Sequence, residues 1–322
     1  MYTLRRALAL GAVLALLATG CGDDDDTDAA TSGDPSESET TEADDEGEEE
    51  EDAPTELTVT LADGALELSS DSVAGGAIDL VFENESETFT EVDLTHVEDG
   101  TSPEAFTEGF APVLTGGPFP DFAIDNAGVG AEGGESGETT ISLEPGEYIV
   151  WTVPEEGPPE GEGDEGAGEA PPPEAFVTAT LTVLDTESGN DFPETTGTIT
   201  ARDYEFEVDV SGAGTYTFVN EGPVQFHHAI VVDFGTNDPE AVETALPELL
   251  ASEDGAPPES LDAEQIDFEF GGAGVFGPDG KGTFEADFTE GDTYAVVCFI
   301  QDRTGGPPHA IANDMWEVFQ AG

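Results

Sequence analysis

Basic side chains are almost missing from this chain. Lys and Arg number 5 against 75 Asp and Glu, for a formal net charge of −70. No basic patch can form, which excludes nucleic-acid binding. Sulfur and imidazole are equally scarce. The chain has two cysteines, Cys21 and Cys298, two methionines, Met1 and Met315, and four histidines, His96, His227, His228 and His309. Past the N-terminal twenty residues, no apolar run is long enough to cross a bilayer as a helix. No Ser-His-Asp constellation or other catalytic signature stands out, and no small-molecule substrate is indicated.

Two of the five basic residues, Arg5 and Arg6, open an export signal. The apolar stretch Ala7 to Ala18 follows them and is too short to span a membrane. It ends in Ala18-Thr19-Gly20-Cys21, which resembles a bacterial lipobox. That resemblance implies a signal peptide over 1–20, cleavage before Cys21 and lipidation of its thiol. The protein is then a lipoprotein on the outer face of the cytoplasmic membrane. An ordinary secretory signal ahead of a chance cysteine is the alternative. With Cys21 lipidated, Cys298 has no disulfide partner. A free exported thiol is open to oxidation unless it is buried or bound to metal.

Residues 22–53 hold 17 of the acidic residues and no aromatic, which leaves 58 for the remainder. Such a segment cannot bury a core, and 21–53 is expected to be a disordered, self-repelling spacer. Acid this dense across a folded region is easiest to keep compact at high ionic strength, and this points to a salt-adapted organism. An acidic surface for a cationic partner or for metal cations is the alternative.

From residue 54 the chain reads as short alternating runs divided by Gly, Pro, Asn and Asp. Leu57–Leu61, Val177–Val183 and Tyr204–Val210 alternate as half-buried antiparallel strands do. Ser102-Pro-Glu-Ala and Asp238-Pro-Glu-Ala each read as a helix N-cap with Pro at the first position, and the second helix runs on to Leu250. The class is all-β, of sandwich type. Ser102 and Asp238 lie 136 residues apart, as do Asn84 and Asn220, while Tyr148 and Tyr294 lie 146 apart. The chain therefore reads as two copies of one domain, 54–188 and 194–322. A surface position is expected for His96, and core or rim positions for Trp151 and Trp316.

The scarce ligands gather in the second copy. Cys298, His309 and Met315 lie within YAVVCFIQDRTGGPPHAIANDMWEVF, and the pair His227-His228 opens HHAIVVDF. A thiolate, two imidazoles and a thioether are the ligand set of a blue-copper site. The first copy has none of them. Thr152 stands where the repeat places Cys298, and Phe89 and Thr90 stand near the position of the histidines.

These two motifs resemble the cupredoxin family of plastocyanin and azurin. The resemblance covers both copies in scaffold but only the second in motif. It implies tandem Greek-key β-sandwich domains with one copper in the second. It puts the ligand roles on His228, Cys298, His309 and Met315, with His227 as a neighbour. Ten residues separate Cys298 from His309 and five separate His309 from Met315. Asp314 stands where many relatives have Gly, and Gln301 where they have Pro. A membrane-anchored electron carrier, not an enzyme, with an unidentified redox partner protein is the function implied. Copper delivery or storage without redox duty, and a metal-free interaction module, are the alternatives. Multicopper oxidase and nitrite reductase chemistry needs more histidines than these four.

Overall fold

Alternation sets the first strand. In Glu56–Ala62, Leu57, Val59 and Leu61 are buried while their neighbours face out. The computed structural model describes residues 55–153, 170–252 and 255–322, all within one compact unit. The signal 1–20, the lipidation site Cys21 and the spacer 21–53 lie outside the described residues.

Eight strands form a first half: β1 (Glu56–Ala62), β2 (Ala65–Leu68), β3 (Ser72–Asn84), β4 (Thr90–Val97), β5 (Ala123–Ala131), β6 (Ser136–Leu143), β7 (Gly146–Thr152) and β8 (Val177–Glu187). Helix α1 (Pro103–Phe110) sits between β4 and β5. The second half repeats the order with β9 (Gly197–Arg202), β10 (Glu205–Asp209), β11 (Gly212–Asn220), β12 (His227–Asp233), β13 (Asp267–Phe276), β14 (Lys281–Phe288), β15 (Thr293–Val297) and β16 (Trp316–Gln320). Helix α2 (Pro239–Ala251) lies between β12 and β13, and the short α3 (His309–Ala312) precedes β16. The first half pairs as β2-β1-β3-β6 and β8-β7-β4-β5, the second as β10-β9-β11-β14 and β13-β12-β15-β16. The fold is all-β, with layered sheets enclosing an apolar interior.

Both helices start as their sequences dictate. Ser102 Oγ accepts from Ala105 N and an Asp238 carboxylate oxygen from Ala241 N, with Pro103 and Pro239 opening the first turns. Asn84 and Asn220 play one role twice. Each side-chain amide donates to two carbonyls, of Thr88 and Ala131 in one case and of Gln225 and Phe276 in the other. Those bonds close the loop that leads into β4 and β12 respectively. A buried amide with these partners satisfies backbone that would otherwise be stranded.

Two expectations are corrected. Leu57–Leu61 pairs antiparallel with β2 but parallel with β3, and the equivalent β9 pairs antiparallel with β10 but parallel with β11. Alternation cannot tell the two apart, because both directions bury every second residue. His96 is not at the surface. It lies opposite Tyr148 in the β4–β7 register and stacks on that ring at 4.7 Å and 11°. Burial pushes its pKa down.

The halves meet like with like. β6 joins β14 at Ile141 and Gly282, and Thr139 Oγ1 donates to Thr283 O at 2.8 Å. Asp125 of β5 accepts from Asn126 N and from Gly277 N, both at 2.7 Å. Burial raises the Asp125 pKa to about 6, against an ordinary value of 3.8. The folded state therefore binds a proton that the unfolded chain has released. This contribution to stability is fully present below about pH 4 and is lost as pH rises through about 6. Asp125→Asn keeps the acceptor without the charge. It should match the wild type in urea unfolding at pH 4 and exceed it by about 2 kcal/mol at pH 8. A difference that does not change with pH would show that the carboxyl ionises as freely folded as unfolded.

Candidate metal centre

β12 is buried on both faces. Ala229 and Val231 point into the main core with Tyr294 and Val296 of β15, whereas Val232 points the other way, under Val242 and Leu246 of α2. Period two therefore sends His227 inward with Ala229 and sends His228 outward with Val232. Cys298, two residues beyond Val296, faces the same interior as His227.

Three side chains converge there. Cys298 Sγ lies 3.6 Å from His227 Nδ1 and 3.5 Å from His309 Nδ1, and all three donor atoms lie within 4.8 Å of one another. Each of these residues has 0% exposure. The spacing fits a shared ion. For a tetrahedral divalent ion with a sulfur at about 2.3 Å and a nitrogen at about 2.0 Å, the two donors stand about 3.5 Å apart.

His228 is not part of this group. Its Nε2 accepts the backbone N–H of Phe299 at 2.7 Å, and its ring meets the Phe299 ring edge-on. Among the four expected ligands, Cys298 and His309 come together, Met315 is tied to them by its backbone, and His227 rather than His228 lies beside them. Met315 belongs to the same buried cluster as Cys298, at 0% exposure. Its carbonyl accepts from Cys298 N and its N–H donates to His309 O, both at 3.2 Å.

The loop from Cys298 to Met315 is closed by its own backbone. His309 N donates to Ile300 O at 2.7 Å and Ala310 N to Cys298 O at 2.8 Å. The turn into Met315 needs a left-handed residue, and Asp314 supplies it at φ 53°. Asp tolerates this region better than most non-glycine residues. The departure from Gly at this position is thus conformationally conservative. Asp314→Val should cost about 1–2 kcal/mol in urea unfolding, whereas Asp314→Gly should cost nothing.

Electrostatics keep the group neutral. Burial pushes the Cys298 thiol up to about 12. Burial, and then the neighbouring His309, pull His227 down to about 3, and burial pulls His309 down as well. Near pH 7 the site is a thiol beside two neutral imidazoles. His227 Nε2 is buried without a hydrogen-bond partner. Asp302 stands 3.3 Å from His309 Nε2, off the line a hydrogen bond needs. Asp302 also accepts from Tyr204 OH at 2.7 Å, and the Tyr204 ring meets His309 edge-on at 5.2 Å.

Tyr204 and Asp302 were not singled out from the sequence. A signal for Tyr204 was present in the repeat. The β1–β2 turn is Asp63-Gly64 and the matching β9–β10 turn is Asp203-Tyr204. A large aromatic replaces the turn glycine only in the half that carries the ligands.

The same registers locate the first half's counterparts. Leu94 pairs with Val150 as Val231 pairs with Val296. Counting along the strands, Thr90 then matches His227 and Thr152 matches Cys298. Both threonines are buried, and Thr152 Oγ1 donates to Glu91 O at 2.7 Å. Hydroxyls satisfied by backbone fill the place of the donors.

No family model matches the chain, and no curated protein does. Solved structures do. A reduced auracyanin from the photosynthetic bacterium Roseiflexus castenholzii is 22% identical, covering 39% of this chain and 94% of its own, with a TM-score of 0.23. Auracyanin A, a "blue" copper protein from the green thermophilic photosynthetic bacterium Chloroflexus aurantiacus, is 16% identical over 41% of this chain and 99% of its own, with a TM-score of 0.24. A Cu-containing nitrite reductase from Thermus scotoductus is 11% identical over 83% of this chain and 61% of its own, with a TM-score of 0.20. At these scores the likenesses add nothing to the geometry. Among the described residues, no helix is long and apolar enough to cross a membrane.

Proposed function

We propose that the chain is a copper protein of the cupredoxin kind that carries single electrons. The observation behind this reading is the convergence of Cys298 Sγ with two histidine Nδ1 atoms at 3.5 and 3.6 Å, wholly buried. His227, Cys298 and His309 would be the strong ligands and the Met315 thioether a weak one. A thioether is no ordinary zinc ligand, whereas a soft donor set of this kind selects copper. The bound metal would supply a one-electron couple. Cys298 would hold it as thiolate, giving up its proton. Both imidazoles are already neutral, so they bind without losing one. His309 is flanked by the Asp302 carboxylate, the partner that orients a ligand imidazole in many metal sites.

Burial favours electron transfer over the other functions. With all four residues at 0% exposure, a metal held there would lie out of a substrate's reach, which speaks against inner-sphere enzymatic chemistry. Electrons need no such access. Delivery or storage needs a metal that can leave, and the backbone bonds that join Cys298 to Ala310 and Met315, and Met315 to His309, work against that. The two halves are read as copies of one domain, 54–188 and 194–322, with the ligands in the second. Lipidation of Cys21 would hold both at the outer face of the cytoplasmic membrane, beyond the acidic spacer. The redox partner is a protein of unassigned identity.

Titration of the full chain with Cu(II) should give an intense visible band from thiolate-to-copper charge transfer, and Cys298→Ser should abolish it. Binding of Cu(I) without a stable Cu(II) form would favour delivery. Binding of neither would leave a metal-free interaction module.

A further inference from the structure

The ligand loop does not rest on the second half alone. Gln301 is buried, and its Nε2 donates to Val113 O at 2.6 Å and to Gly117 O at 3.4 Å, both in the first half. Arg303 Nη2 donates to Ala123 O, and the Arg303 carbonyl accepts from Phe119 N at 2.9 Å. The Arg303 guanidinium lies 4.7 Å over the ring of Phe226, which packs in turn on Phe119. Gly306 N donates to Gly116 O at 2.9 Å. Gly305 has φ 81°, and a Cβ there would come within 2.9 Å of Gly116 O. The backbones touch closely enough that only glycine fits.

All of these contacts fall between Cys298 and His309, where the chain has no regular structure before α3. The hydrogen bonds among them all go to one stretch, residues 113–123, of the half whose own ligand positions hold threonines. Arg303 is one of three basic residues past the export signal, with Arg202 and Lys281. Arg202 pairs with surface glutamates and Lys281 lies over Phe192, so neither reaches the ligand loop in these contacts.

We propose that residues 113–123 of the ligand-free half are a clamp on the ligand loop, and that Gln301 and Arg303 are positioning residues for the centre it carries. They fix the place of His309 relative to Cys298 and keep water away from it. The purpose of the clamp rests on the copper reading above. Its existence does not, since none of its contacts uses a ligand side chain. Clamping would hold the ligands alike in both oxidation states and set the local dielectric, and through that the potential.

The test uses the full chain with Gln301→Leu and Arg303→Met together, which keep side-chain bulk and remove the donors. In the metal-free protein, the amides of Gly306, His309 and Met315 should exchange hydrogen at least about tenfold faster than in the wild type. The amides of β1 and β3 should not change. In the copper-loaded protein, the visible band should persist, the reduction potential should fall as water reaches the site, and loss of copper to a chelator should quicken. Arg303→Lys alone should move every readout the same way by less, which guards against a double variant that fails to fold. Unchanged loop exchange in either folded variant would overturn the clamp. A wild type that binds no copper but shows the exchange effect would leave the clamp standing and remove the copper reading.

Discussion

His227→Ala should weaken copper binding by the full chain by on the order of a hundredfold or more, and His228→Ala should leave it within about threefold. Losing even an outer partner of a metal ligand costs about 10–100-fold, so losing a ligand should exceed that. The asymmetry follows from position. His227 Nδ1 faces Cys298 Sγ at 3.6 Å, whereas His228 Nε2 is already engaged by Phe299 N–H at 2.7 Å. His228→Ala should still be felt in stability, by about 1–3 kcal/mol, because it strands that N–H. A chelator-competition titration gives the affinity and urea unfolding gives the stability. Retained binding in His227→Ala together with lost binding in His228→Ala would reverse the assignment.

That pair of residues shows where sequence reading stops. The gathering of Cys298, His309 and Met315 in one loop was legible because cysteine, histidine and methionine are so rare here that three together stand out. The choice between His227 and His228 was not, because Ala229, Ile230, Val231 and Val232 are all apolar. A strand covered on one face declares its inward register through alternation. β12 is covered on both, by the core and by α2, so its sequence carries no alternation to read. The helix starts at Ser102 and Asp238 were legible because capping is local chemistry. The parallel pairing of β1 with β3 was not, because it depends on where the chain returns. The contacts of Gln301 and Arg303 with the first half lie 180 residues or more away in sequence. No local pattern could announce them, although the replacement of Pro by Gln301 marked the spot.

The Gly-Gly pair in β13 was also in plain view, in FEFGGAGVF, and it sets up the second large effect. Gly271 and Gly272 have φ of 137° and 142°, a region that is nearly glycine's alone. They pair with Val231 and Ile230 of β12, between two register shifts, one between His227 and Ala229 and the other between Val231 and Asp233. The two glycines share a conformation but not a neighbourhood. A Cβ on Gly271 would meet nothing nearer than Glu285 O at 3.9 Å, whereas one on Gly272 would lie 1.9 Å from Ala229 O. Gly271→Ala should therefore cost only backbone strain, about 1–3 kcal/mol. Gly272→Ala adds a collision with backbone that no rotamer can relieve, and should cost about 4 kcal/mol or more. The obstructed carbonyl belongs to the residue two after His227, so relief must come by moving β12. Gly272→Ala should then weaken copper binding as well as stability, while Gly271→Ala should change stability alone. Equal losses of stability in the two variants would show that conformation, and not the close approach of β12, is what the glycines serve.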